Sequence, residues 1–256
     1  VGRIAVGRHV VWAALLALLA APFAGCATAF TPPRAAPSVP AEPRVALLAA
    51  AARTAELSCK LELGDAGDKG IGVYDPTAHA ATFAMEVDGK TGTVTVTSFG
   101  VDVYVSGFPG VAGRTLHFDV TRFAPDSSLL LILDPMLALH LITAATEVTR
   151  TATGFHGTID LRKVDTTGYP AAKVIVDGLA ATAGAVAAVR AFDATVDDQG
   201  RLSMFRTTFR SADDGRDDEY QLNLSDFGSG QTVTRPTSDV VDAPADLYAG
   251  AGSAKG

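Results

Sequence analysis

Between Ala81 and Gly107 the chain reads "ATFAMEVDGKTGTVTVTSFGVDVYVSG", and this stretch narrows the fold more than any other. Phe83, Met85 and Val87 fall on one face of an extended segment, with Thr82, Ala84 and Glu86 on the other. After the turn Asp88-Gly89-Lys90 come Val94 and Val96, then Val101, Val103 and Val105. A period of two marks strands with one buried face, and so short a turn joins antiparallel neighbours. "GIGVYD" and "ELSCKLEL" upstream behave alike, the latter sending Leu57, Cys59, Leu61 and Leu63 to one side. Strands buried on one face only belong to an antiparallel sheet, which must find a cover for that face.

The remaining segments supply the cover. "EPRVALLAAAARTAEL" is rich in Ala and Leu with Pro43 at a first helical position, predicting a helix from about Pro43 to Thr54. "PDSSLLLILDPMLALHLITAATEV" is apolar on nearly every side. It reads as Leu129 to Leu133, then a helix capped by Asp134 and opened by Pro135, running from Met136 to Ala145. "PAAKVIVDGLAATAGAVAAV" is a further helical stretch, expected to be loosened by Gly178 and Gly184. Strands follow in "FHGTIDLRKV", in the hairpin "AFDATVDDQGRLSMFRTTFR" and in "DDEYQLNLSDFG". The class is α+β: a curved antiparallel sheet with helices to one side, in one domain of roughly 190 residues.

The N-terminal region is of another kind. Arg3 and Arg8 precede the apolar run "VVWAALLALL" and the small residues Ala24 and Gly25, the three-part layout of a secretory signal. The run is about half the ~20 residues a membrane-spanning helix needs. Phe23-Ala24-Gly25-Cys26 resembles the bacterial lipobox, with Phe23 where Leu is usual. That resemblance implies that Cys26 is lipidated and becomes the N-terminus. The alternatives are an ordinary cut after Ala27 or Ala29, or an uncleaved anchor. "ATAFTPPRAAPSVPAEP", with five prolines, then reads as an extended tether. Residues 1–25 hold two of the 21 Lys+Arg and no acid, so the remainder carries 19 basic against 28 acidic side chains, a net charge of −9. Such a balance does not suit a phosphate backbone, and nucleic acid is set aside as a partner.

The order of these pieces resembles that in actinobacterial lipoproteins of the LppX/LprG type, within the wider fold of carriers such as LolA. "LILDPMLALHLI", "GFHGTIDL", "DDQGRL" before an alternating strand and "LSDFG" before "VTRP" carry the resemblance, which spans about Arg44 to Pro236. It implies a half-barrel wrapped over helices with an apolar cavity between them, binding an acylated lipid or lipoglycan for transport or presentation in the cell envelope. The single Trp lies in the signal region, whereas aromatic residues often line such cavities. Leu61, Phe83, Met85, Val94 and Val96 on the sheet and Leu137 and Leu141 on the central helix are the candidate lining residues; the alternative is that they form a packed core. Release would need the helical stretch from Pro170 to Val189 to open.

The residues offer no competing chemistry. No Gly-x-Ser-x-Gly elbow occurs, and His79, His117, His140 and His156 are scattered without metal-ligand spacing. "DDGRDDE" lacks the ligand spacing of a calcium loop and reads as a solvated turn. Cys59, on the buried side of its strand, reads as a small hydrophobe rather than a nucleophile. The expectation is a monomeric, exported protein, held at the outer face of the cell membrane through Cys26, with no enzymatic activity, cofactor or metal. Its segments are a signal at 1–25, a tether at 26–42, the lipid-binding domain at 43–236 and a disordered tail at 237–256. The competing class is a lipid-anchored interaction module with a filled core, meeting another envelope protein through its acidic surface or a sheet edge.

Overall fold

Helix α1 (Pro43–Ala55) begins where its proline predicts, and Glu42 caps it by accepting hydrogen bonds from the amides of Arg44 and Val45, both at 3.1 Å. The computed structural model describes residues 42–64, 69–86, 93–108, 111, 113–125, 127, 129–210 and 215–249, apart from the side chains of 131–132 and 185–187. All of these fall in one compact unit, Ala41–Gly256. Cys26, the tether up to residue 41 and the turn at 88–90 lie outside the described residues.

The alternating segments become β1 (Cys59–Gly64), β2 (Lys69–Asp75), β3 (Ala80–Glu86), β4 (Thr93–Phe99), β5 (Asp102–Ser106) and β6 (Thr115–Asp119). After the central helices come β7 (Ala145–Arg150) and β8 (Gly154–Asp160), then β9 (Val189–Val196), β10 (Leu202–Arg210), β11 (Asp217–Ser225) and β12 (Val240–Asp242). All twelve make one sheet in the order β12-β6-β5-β4-β3-β2-β1-β11-β10-β9-β8-β7. β12 pairs parallel to β6 and every other pairing is antiparallel. Burial alternates along the strands, as in β1 with Cys59, Leu61 and Leu63 inside.

Twelve strands laid flat would extend ~53 Å at the usual strand spacing. Helix α4 (Pro170–Ala187), about 27 Å long at 1.5 Å per residue, nevertheless touches β10, the 3-10 turn that follows β6 and the 3-10 turn that follows β8. The sheet therefore curves, as strand twist favours, with α1 against β7 and β10, the short helix Leu130–Leu133 against β4 and α4 against β10. One continuous core results, joining Phe118 of β6 to Phe155 and Ile159 of β8 through Leu137, Leu141 and Ile142.

Three local expectations change. The apolar centre is not one long helix: it forms α2 (Leu130–Leu133), α3 (Leu137–Leu141) and a 3-10 turn Ile142–Ala144, with Ala145 already opening β7. Asp134 takes an extended backbone between α2 and α3, and its Oδ1 accepts from the Met136 amide at 2.9 Å. The Thr143 hydroxyl bonds the His140 carbonyl at 2.6 Å, inside the tightened turn. Gly178 does not loosen α4. A Cβ there would stand 2.4 Å from Leu130 Cδ1 and 2.5 Å from the Pro125 carbonyl oxygen, so the glycine lets α4 lie directly on α2. Gly184, at φ 72° and ψ 174°, does break the helix.

The stretch after 236, expected to be disordered, instead adds β12 to the sheet. The Thr115 amide bonds the Asp239 carbonyl (3.0 Å) and the Ala243 amide that of His117 (2.8 Å). The edge of β6 offers unpaired backbone groups that even a weakly patterned strand can satisfy. Tyr248 then folds inward beside Phe118 and Phe123, with ring centroids 5.6 and 5.0 Å away. Residues 250–256 lie outside the described residues.

Candidate functional site

A cleft of about 790 Å³ opens between α1, the turn joining β2 to β3, and the N-terminal end of α4. Seven alanines line it: Ala51, Ala52 and Ala55 from α1, Ala80 and Ala81 from β3, Ala171 and Ala172 from α4. Their methyl groups are too short to meet across the gap, and Leu48, Leu133, Met136 and Leu139 complete an apolar lining. Space remains because three small-residue surfaces converge where larger side chains would interlock.

One wall is polar. His140 Nε2 lies 3.7 Å from Asp134 Oδ2, with both side chains less than a fifth exposed. Burial pushes the Asp134 carboxyl above its ordinary pKa, against the pull of the His140 charge. The His140 ring also meets Tyr169, centroids 4.5 Å apart. Behind them the Asp165 amide bonds the Thr143 hydroxyl at 2.9 Å, and Asp165 accepts from the Thr167 amide at 3.0 Å. Tyr74, across the cleft, is pushed up to about 12 by burial and, secondarily, by the negative charge of Asp134. Its hydroxyl donates to the Ala55 carbonyl at 3.4 Å. The cleft thus offers an apolar pocket with a small hydrogen-bonding rim, the general make-up of ligand sites. Among the described residues no three His, Cys, Asp or Glu side chains are grouped to hold a metal ion.

None of the seven residues expected to line a cavity borders this cleft. Leu61, Phe83, Val94, Val96, Leu137 and Leu141 are 0–6 % exposed and packed into the core. Met85 is half-buried against the same cluster. The apolar sheet face that they share packs in one cluster with Leu130 and Leu133 of α2 and Leu137, Ala138 and Leu141 of α3. Cys59 is fully buried with a free thiol that burial pushes up to about 12. The sequence shows Asp134 as a helix cap and His140 as one of several scattered histidines, and does not reveal that the two meet. The visible signal was the concentration of alanine in three separate segments.

The fold and the cleft together define an open antiparallel sheet carrying helices on one face, with an apolar recess at one end of its longest helix. No protein-family model matches the chain, and no curated protein does. Among solved structures it is similar to a LolA superfamily protein from Nitrosomonas europaea at 9% identity and a TM-score of 0.29, covering 81% of this chain and 98% of that one.

Proposed function

We propose that this protein is a lipid-anchored carrier or presenter in the cell envelope that binds an acylated lipid or lipoglycan and performs no chemistry on it. The observation that carries the reading is the alanine-lined cleft of about 790 Å³, within the ~300–1,000 Å³ of ordinary ligand sites. Each methylene buried there contributes about 0.8 kcal/mol, so an acyl chain is held by burial alone while the Asp134–His140 rim meets its polar end. The half-barrel with α4 as lid is the arrangement in which such a recess deepens, since Gly184 interrupts that helix. Lipidation of Cys26, export and attachment to the outer face of the membrane complete the proposal.

A second reading, an interaction module with a filled core, draws support from the packing of Phe83, Val96, Leu137 and Leu141. Native mass spectrometry of residues 41–256, purified from an actinobacterial host, separates the two. A co-purifying acylated species that exchanges into vesicles is expected. A protein that emerges empty and refuses added diacyl and triacyl lipids removes the carrier reading and leaves the module.

A further inference from the structure

Six residues with titratable side chains border the cleft: Tyr74, His79, Asp134, His140, Asp165 and Tyr169. Among the described residues neither a lysine nor an arginine lines it. The cations of the flanking segments are turned to other partners. Arg53 of α1 donates to the Gly200 carbonyl at 3.1 Å, Arg162 grips both oxygens of Asp160 at 2.8 and 2.9 Å, and Lys173 of α4 bonds Asp177 at 2.5 Å. Phosphates and carboxylates are normally held by such groups. In this cleft an anion would meet two carboxyl groups instead, and the amide and hydroxyl of Thr167 hold the exposed Asp165 below its usual value.

Asp134 and His140 also have bonding capacity to spare. Oδ1 of Asp134 accepts from the Met136 amide at 2.9 Å, but Oδ2 accepts no hydrogen bond among the described residues. It lies 3.7 Å from His140 Nε2, beyond the reach of a direct hydrogen bond. A group that serves both must answer a carboxyl oxygen and a ring nitrogen that donates or accepts according to its tautomer. A hydroxyl does so, because it gives a proton and offers lone pairs at once. A phosphate dianion offers only lone pairs and is repelled by the carboxylate; an ammonium offers only protons and finds an imidazole beside its acceptor. Tyr169, 51 % exposed and with its ring 4.5 Å from that of His140, adds an aromatic surface for the C–H groups of a glycerol or a sugar.

We propose that the Asp134–His140 wall selects a lipid whose head group is neutral and rich in hydroxyls, a glycerol or a sugar, and rejects phosphate, carboxylate and ammonium heads. The inference rests on the lipid-binding reading of this cleft and adds to it the class of head group.

The test titrates the full chain carrying Cys26→Ser, so that no anchor lipid competes, and reads affinities by calorimetry. The probes share one chain length and stay below their micellar concentrations: dodecyl glucoside, monolauroylglycerol, dodecyl phosphate and protonated dodecylamine. The glucoside or the glycerol ester is expected to bind about tenfold more tightly than either charged probe, and the better of the two names the source of the hydroxyls. Asp134→Asn removes the negative charge beside His140 while its amide still bonds a hydroxyl. Dodecyl phosphate is then expected to gain about tenfold and the preference to vanish. Ala52→Trp, at an exposed position of α1 that borders the cleft, is expected to weaken all four probes by filling the space, and it reports on the place of binding even if Asp134→Asn does not fold. Dodecyl phosphate or dodecylamine binding as tightly as the neutral probes overturns the head-group assignment and spares the lipid reading. Undiminished rejection of phosphate by Asp134→Asn overturns the role of this wall, and unchanged affinities in Ala52→Trp do the same by moving the site out of the cleft. Refusal of every probe by the unsubstituted protein overturns the inference and the carrier reading together.

Discussion

His117 holds two carboxylates at once. Its Nδ1 lies 2.9 Å from Asp242 Oδ1 and its Nε2 3.0 Å from Asp102 Oδ1, and only the imidazolium form can donate to both. Burial by itself would lower its pKa, but the hydrogen bonds to Asp242 and Asp102 outweigh it and hold His117 above its ordinary value of 6.5. A folded value above the unfolded one contributes stability that is whole below about 6.5 and is lost as pH rises through the folded value. Asp102 moves the other way. The hydrogen bond from His117 leads in holding it below 3.8, with Arg235 adding and burial opposing. Its contribution is present above that value and disappears as pH falls through the lowered one. The clamp that ties β12 to β5 and β6 is therefore strongest between these limits. His117→Gln is expected to cost about 1 kcal/mol near pH 5.5, and steadily less toward alkaline pH, in urea titrations. A cost that does not vary with pH would remove the imidazolium from the account.

At the scale of elements, Gly178 and Gly184 show where local reading stops. Both stand in an Ala-rich helical segment and both read as residues that loosen it. The first is helical and pressed against the backbone at Pro125, while the second, with nothing within 4 Å of a Cβ, sits at a backbone angle that disfavours side chains. The distinction depends on residues about fifty positions away, which no local pattern reports. Gly178→Ala is expected to destabilise by about 1–3 kcal/mol through overpacking, although alanine is the better helix former. Gly184→Ala is expected to lose a similar ~1–3 kcal/mol through backbone strain alone. Urea denaturation measures both, and a gain in stability at 178 would mean that α4 does not lie on α2. By contrast, α1 and the hairpins were legible because their signals are local: a proline at the helix start, alternation along each strand, a glycine at φ 71° closing the β9–β10 turn. The split of the central helix was half legible. Asp134 and Pro135 announce a start, but not that α3 would end after five residues.

For the molecule as a whole, alternation revealed which sheet face is apolar but not what fills it. The same Leu61, Phe83 and Val96 serve a packed core or a cavity wall depending on what meets them, and here they share one buried cluster with Leu130, Leu133, Leu137 and Leu141. The open space falls instead where small residues from distant segments meet, a coincidence of topology. The C-terminal segment carries the same lesson in reverse, since a weakly patterned stretch becomes ordered once the sheet supplies an edge. After β11 the chain bonds Ser58 through the Gly228 amide, Asp75 through Val233 and Asp102 through Arg235 before joining β6. Tyr248 ends this strap at 6 % exposure: its carbonyl accepts from Ala124, its hydroxyl from the Asp119 amide, and Arg122 lies 4.2 Å over its ring. Removing that ring uncovers Phe118 and Phe123, so Tyr248→Ala is expected to cost about 3 kcal/mol, in line with other buried aromatic truncations. Ending the chain at Pro236 removes the ring and the β12 pairing together. Hydrogen exchange should then rise sharply in β6, beginning with the Thr115 amide that bonds Asp239, while β8 to β10 keep their protection. A shortened chain with unchanged stability and unchanged exchange in β6 would return residues 237–256 to the unstructured tail that their composition suggests.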